Sequence, residues 1–343
     1  MKKYASRVVQ IAITVAILAW IFRDPALRSG IVRAIRGADA RWLLAGVFIS
    51  GVGEIANIWR WGIFLRMQNI AMSWKRITAI FMIGVFFNLF LFGSTGGDIL
   101  KVIYLSRDYP HRKGVALLTV IADRWIGLMI LIPFTVVVVA WRYAWLSRTP
   151  TAAALLWVLN IFTITMSIIM AASYLIASRH VVHRLPARMP GRETLVRLGE
   201  TFAVFGRSWR QTLAALILSV PILFTFFGTF YCAARAFAAN VSLVDIFSVM
   251  PVITVVTSLP ISFGGLGVRE KLFESLLGDL AAVPAELAVL ISLVGFAIYL
   301  VWSLVGAVVY LFTRGKSVAR PRPPIAGANH FAPPSTPAPV LPE

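Results

Sequence analysis

The chain has 343 residues, 59% of them hydrophobic and only 14% charged, with a mean hydropathy of +0.82 and a formal net charge of +19. A soluble fold of this size could not hide that much apolar surface, so composition excludes ordinary soluble domains and points to a bundle whose solvent is lipid. The Lys and Arg residues sit mainly between apolar runs, where they meet anionic headgroups and bias topology; no aromatic-interleaved motif supports nucleic-acid binding.

In chain order, the first element is an apolar stretch behind Lys2, Lys3 and Arg7. It ends at Phe22-Arg23-Asp24-Pro25 without a small-residue cleavage site, so it reads as a retained membrane helix and not as a signal peptide. A spanning helix needs about 20 largely apolar residues. Eight stretches come near that length, at roughly 8–22, 42–65, 77–93, 115–140, 152–177, 211–238, 243–263 and 284–312. The expected fold class is therefore all-α, a polytopic integral membrane bundle of about eight hydrophobic helices. Trp20, Trp42, Trp74, Trp141, Trp145, Trp209 and Trp302 stand near the run ends, as an interfacial aromatic belt would. If every run crosses, the Arg-rich linkers 23–41 and 178–210 share one side, which the positive-inside tendency makes cytoplasmic. The basic termini oppose that assignment, and orientation stays open. Cys232 is the sole cysteine and lies in an apolar run, which leaves it a packing role and no intrachain disulfide. Beyond Arg320 the chain is Pro-rich, so the expected division is a helical membrane domain over 1–318 and a disordered tail over 319–343.

Two short segments resemble each other: Leu91-Phe92-Gly93-Ser94-Thr95-Gly96-Gly97 and Leu259-Pro260-Ile261-Ser262-Phe263-Gly264-Gly265. At a separation of 168 residues the leucine, the serine and both glycines coincide, and Lys101 falls opposite Arg269. A Gly-Gly pair lets a helix break and restart at membrane depth. The restarted helix offers free N–H groups that, beside a cation, suit an anionic group such as phosphate. Broken helices at matching places in two halves are a transporter device; glycines that merely end helices or let them pack closely are the plainer reading. The pair suggests an internal pseudo-repeat. Four apolar runs separate the turns, so the copies point the same way if all span, and an inverted repeat requires one run to be re-entrant.

Charges inside apolar runs cost about 2.5–3.5 kcal/mol each on insertion scales unless a partner or water meets them. Glu54, Asn57 and Trp61 share one helical face, with Arg60 about a third of a turn away, either snorkelling to the interface or meeting a partner. Asp123 and Arg124 are adjacent and project apart, so one of them needs a partner on another helix. Asp98, Lys101 and Asp108 form a polar stripe opposite Ile99, Leu100, Val102 and Ile103, a pattern that fits a cavity-lining helix and an interfacial one alike. Glu270 and Glu274 share a face at i,i+4, which requires intervening cations or water; Lys271 and Glu274 also fit a solvated surface, leaving Arg269 and Glu270 as the stronger pair.

Gly315-Lys316-Ser317 lacks the earlier glycine of a phosphate-binding loop, so direct ATP drive is not expected. His180 and His183 lie in a basic linker without a carboxylate cluster, and neither a metal nor another cofactor is expected.

These residues carry a family resemblance. Arg60-Trp61, Gly84, Phe87-Asn88, Gly96-Gly97-Asp98, Lys101, Asp123-Arg124 and the block Leu259 to Glu270 occur in an order that resembles the flippase-like membrane family also called the lysylphosphatidylglycerol synthase transmembrane region. The resemblance covers most of residues 40–312 and is most specific in the last block. It implies a polytopic helical domain of a bacterial or archaeal cytoplasmic membrane that moves or handles polar lipids. Phe92 stands where the family often has proline, Lys101 where arginine is usual and Asp123 where glutamate is usual. Two-part synthases of this kind carry a soluble aminoacyl transferase domain; this chain looks like the membrane half alone, so that activity is not expected.

The resulting expectation is a translocator or handler of a polar or anionic membrane lipid, a phospholipid or a lipid-linked polar headgroup, working through a cationic groove. The substrate-binding set comprises Arg60, Asn88, Gly96, Gly97, Asp98, Lys101, Asp123, Arg124, Gly264, Gly265, Arg269 and Glu270. A membrane-embedded lipid-modifying transferase with Asp98 or Glu270 as base, and a noncatalytic partner of a lipid or glycan synthase, are the alternatives.

Overall fold

A computed structural model describes residues 25–90, 96–178, 208–258, 262 and 265–313. The first apolar run, the Pro-rich tail, His180 and His183, and parts of both glycine turns including Gly264 lie outside those residues. The described chain is helical: α1 (Pro25–Arg36), α2 (Ala40–Met67), α3 (Trp74–Phe90), α4 (Gly96–Asp108), a 3₁₀ turn (Pro110–Arg112), α5 (Lys113–Leu146), α6 (Pro150–Ser178), α7 (Trp209–Ala236), α8 (Leu243–Ser258), α9 (Val268–Ala281) and α10 (Ala285–Thr313).

Among the described residues, five helices are long and apolar enough to cross a membrane: α2, α5, α6, α7 and α10. Two of the runs expected to span, 77–93 and 243–263, instead supply the shorter α3 and α8, which turn back at the glycine segments. At 1.5 Å per residue, the 17 residues of α3 reach only about 25 Å. Contacts at the helix ends show where each pair returns. Arg76, at the start of α3, holds Asp108, at the end of α4, through two hydrogen bonds of 2.9 and 3.0 Å. Tyr109 Oη donates to the Ala71 carbonyl at 2.5 Å, and Arg112 Nη1 to the Gln68 carbonyl at 3.1 Å. The α3–α4 pair is thus a hairpin that enters and leaves at the face where α2 ends. At the opposite face, Arg142 near the end of α5 holds Asp245 at the start of α8, and Thr149 donates to Asp279 near the end of α9. The α8–α9 pair is a second hairpin, inserted from the other side.

The two turns therefore belong to an inverted arrangement, because each adjoining run is re-entrant rather than spanning. A shift of 168 residues carries α2 to 208–235, against the observed 209–236 of α7, and α3 to 242–258, against 243–258 of α8. It carries α5 to 281–314, against 285–313 of α10. The helix ends agree in detail. α2 closes with Asn69 at φ +56° and Ile70 N donating to the Leu65 carbonyl; α7 closes with Ala238 at φ +49° and Ala239 N donating to the Ala234 carbonyl. Both are Schellman ends, in which one left-handed residue frees the chain to satisfy the last carbonyls. Among the described residues, α6 has no counterpart at this spacing, and it lies between the two units.

The centre of the bundle is the antiparallel pair α2–α7. Asp39 N donates to the Ala236 carbonyl at 2.8 Å at one end, and Arg60 reaches Ser219 at 2.9 Å toward the other. Between them, a Cβ on Gly53 would press on Thr225 and one on Gly46 would meet Cys232, so small residues let the two backbones approach. Trp302 of α10, placed by sequence in the aromatic belt, lies instead over Gly51 and donates to Ser50 Oγ at 3.0 Å, which anchors α10 to this pair. Phe48, Trp157, Ile161, Val137 and Phe312 are exposed and form the lipid-facing exterior of a multi-pass membrane protein.

Candidate functional site

The first hairpin restarts at Gly96. The Gly97 amide, one of the donors left free at a helix start, is taken by Asn88 Oδ1 at 2.8 Å. A Cβ on Gly97 would collide with the Gly84 carbonyl of α3, so only glycine lets the two arms close this tightly. α4 turns its polar stripe inward: Lys101 is 4% exposed and Asp108 5%, whereas Ile99 is 45% and Ile103 40% exposed. Such an inside-out helix suits lipid outside and protein within: its polar stripe packs against α3 and α5 instead of facing headgroups.

Adjacent residues on α5 serve two different neighbours. Arg124 donates from Nε and Nη2 to Asp98 Oδ2 at 2.9 and 2.6 Å, tying α5 to the hairpin tip. Asp123 accepts from Arg60 Nε at 2.9 Å. Arg60 also donates to Ser219 Oγ at 2.9 Å and Asn57 Oδ1 at 3.2 Å. At 6% exposure it does not snorkel; it locks α2, α5 and α7 together. Lys101 Nζ stands 3.4 Å from Asp98 Oδ1, 4.0 Å above the Phe81 ring and 5.9 Å from Trp61. Among the described residues, the indole Nε1 of fully buried Trp61 has no hydrogen-bond partner.

The second hairpin answers with a tighter cluster. Gly265 and Gly267 adopt φ +74° and +82°, which a side chain would strain. Gly267 N donates to Glu270 Oε2 at 2.5 Å, closing the N-terminal turn of α9. Glu270 Oε1 accepts from Arg269 Nη2 at 3.1 Å and from Ser292 Oγ at 2.8 Å. Arg269 Nε donates to the same Ser292 at 3.0 Å, and its guanidinium lies 4.3 Å from the centre of the Phe296 ring. Glu270 is fully buried and both of its oxygens are occupied. The like-charge clash along α9 is relieved because Glu274 takes Lys271 at 2.7 Å while Glu270 takes Arg269.

The structure thus brings Asn88 to Gly97, groups Asp98, Lys101 and Arg124, pairs Arg60 with Asp123, and pairs Arg269 with Glu270 beside the Gly265 turn. No hydrogen bond or ion pair among the described residues joins the Lys101 group to the Arg269 group. Lys101 and Arg124 thus share Asp98 at the first hairpin, while Arg269 pairs with Glu270 at the second. Sequence reasoning missed Ser219 and Ser292, whose hydroxyls complete two of the clusters. Serines in apolar runs carry no local signal of that role. Glu54, noted as a costly charge, was not joined to the site.

The curated UPF0104 membrane protein PH1989 of Pyrococcus horikoshii is 26% identical to this sequence over 326 residues, covering 85% of this chain and 90% of that protein. The family described as the lysylphosphatidylglycerol synthase TM region matches residues 7–306. That span takes in both hairpins, the α2–α7 pair and every cluster described above, and the chain belongs to the lysylphosphatidylglycerol synthase TM region family.

Proposed function

We propose that this protein translocates or otherwise handles a polar or anionic-headed membrane lipid, with the headgroup meeting the first hairpin and the acyl chains remaining in the bilayer. The observation that carries the reading is the contrast in satisfaction among its buried cations. Arg60 donates from three nitrogens and Arg269 from two to protein acceptors, whereas the Lys101 ammonium makes one carboxylate contact at 3.4 Å and otherwise faces aromatic rings. A buried ammonium with spare donors, beside the unpartnered indole N–H of Trp61, suits an incoming phosphate oxygen. Arg124 and Asp98 hold the hairpin tip in place, and Gly96, Gly97 and Asn88 set its backbone. Arg60, Asp123, Arg269, Glu270 and the turn at Gly265 act as the scaffold that fixes the hairpins. The setting is the cytoplasmic membrane of a prokaryote, in keeping with the family and with the Pyrococcus relative. For the transferase alternative this leaves Asp98 as the base to prefer over Glu270, whose two oxygens already accept hydrogen bonds.

The test is transfer of fluorescent phosphatidylglycerol between leaflets of proteoliposomes. Lys101→Ala should remove transfer while the thermal melt of the purified protein stays near that of the wild type. Undiminished transfer by a folded Lys101→Ala protein would discard the site.

A further inference from the structure

The search for polar groups that the scaffold leaves unsatisfied leads to Glu54. It is the fifteenth of the 28 residues of α2, so it sits halfway along a spanning helix, about 20 Å from either end. Its neighbour Gly53 lies against Thr225, close to the midpoint of α7, which places Glu54 at the centre of the inverted pair. Ser50, Gly51, Asn57, Ile58 and Trp61 stand three, four or seven residues away on the same side of α2. That side runs from Trp302 of α10, over Gly51, to Lys101 beyond Trp61.

Among the described residues, Glu54 makes no hydrogen bond and no ion pair. The cation whose field reaches it is Lys101 of α4. The titratable group facing it from α10 is Tyr299, whose hydroxyl lies 3.4 Å from Thr229 Oγ1. From α7 come only the hydroxyls of Thr225 and Thr229, each bonded back to its own helix. Asp123 of α5 is occupied by Arg60, and from α3 the Phe81 ring packs on Lys101. An ionised carboxylate at mid-membrane requires a counter-charge or costs several kcal/mol. Here Lys101, 3.4 Å from Asp98 and 5.9 Å from the ring of Trp61 two turns along the Glu54 side of α2, is the cation whose charge serves both carboxylates.

We propose that Glu54 is a proton-exchanging carboxyl whose charge follows the engagement of Lys101, so that binding an anionic headgroup is coupled to uptake of one proton. The charge balance is simple. Asp98 and Glu54 against Lys101 and Arg124 sum to zero. A singly charged phosphodiester drawn to Lys101 leaves one uncompensated negative charge. A proton from water, added to the Glu54 carboxylate to give the neutral acid, restores neutrality; release of the headgroup returns the proton. By linkage, the anionic lipid binds more tightly as pH falls through the range in which Glu54 takes up its proton. This inference rests on the reading of Lys101 as the headgroup contact.

The experiment is infrared spectroscopy of the full-length protein in vesicles of phosphatidylcholine, with and without phosphatidylglycerol, with native mass spectrometry of the same samples to count retained phosphatidylglycerol. Adding phosphatidylglycerol should produce the carbonyl stretch of a protonated carboxyl in the wild type. The band should be absent in Glu54→Gln and shifted but present in Glu54→Asp. Lys101→Ala should show the band even in phosphatidylcholine alone, because Glu54 then lacks its cation in either lipid; a purely structural Glu54 would not produce that signature. Phosphatidylglycerol retained by the wild type with no band dependent on Glu54 overturns the proton coupling and leaves the lipid-binding reading standing. No retained phosphatidylglycerol and no band overturns both.

Discussion

The two hairpins enter from opposite faces and share a plan, yet they treat their charges differently. In the second, Arg269, Glu270 and Ser292 form a closed triangle with the Gly267 amide, and both oxygens of Glu270 are taken inside the protein. In the first, Arg124 is 53% exposed at its side chain, and Lys101 is buried with little to hold it. A symmetric scaffold with asymmetric satisfaction separates a joint that fixes geometry from a joint with valence to spare. The spare valence lies where α4, α3 and the middle of α2 meet, and it includes Lys101, Trp61 and Glu54.

The comparison breaks most visibly if the second cluster is cut. Glu270→Ala leaves Arg269 buried without its carboxylate and should destabilise the protein by about 3–5 kcal/mol, read as a lowered unfolding midpoint in detergent. Gly97→Val tests the closure of the first hairpin: its Cβ would enter the space of the Gly84 carbonyl, and overpacking of this kind costs about 1–3 kcal/mol. Lys101→Ala should cost less, about 1 kcal/mol, because Asp98 keeps both bonds from Arg124. Its effect should appear in lipid transfer rather than in the melt, the reverse of Glu270→Ala. The smallest effect belongs to Lys271→Ala, which removes a half-exposed pair with Glu274 and should change stability by no more than about 0.5 kcal/mol.

Much of this architecture was legible in the residues. Seven of the runs located α2, α3, α5, α6, α7, α8 and α10, the twin Gly-Gly segments marked where α4 and α9 follow, and the 168-residue separation proved to be the spacing of whole helices and not only of two turns. The direction of the second turn was not legible, because hydropathy records apolar surroundings and not whether a run goes through the membrane or doubles back. Residues 243–263 are apolar enough to span, and only contacts such as Arg142 with Asp245 and Thr149 with Asp279 reveal the return. The site was legible in its charges and illegible in their satisfaction. Arg60 and Lys101 both read in sequence as cations within the membrane domain, with nothing local to say which is fully satisfied. The serine of α7 that completes the partners of Arg60 lies 159 residues away.

Sided labelling tests the inverted hairpins most directly. In a Cys232→Ala background, which removes the sole native thiol, single cysteines replace His111 after the first hairpin and Ala282 after the second, both exposed at their respective faces. A membrane-impermeant maleimide applied to intact cells, and then to inverted membrane vesicles, should label one position from one side only and the other from the opposite side only. Labelling of both positions from the same side would contradict the arrangement on which the account is built.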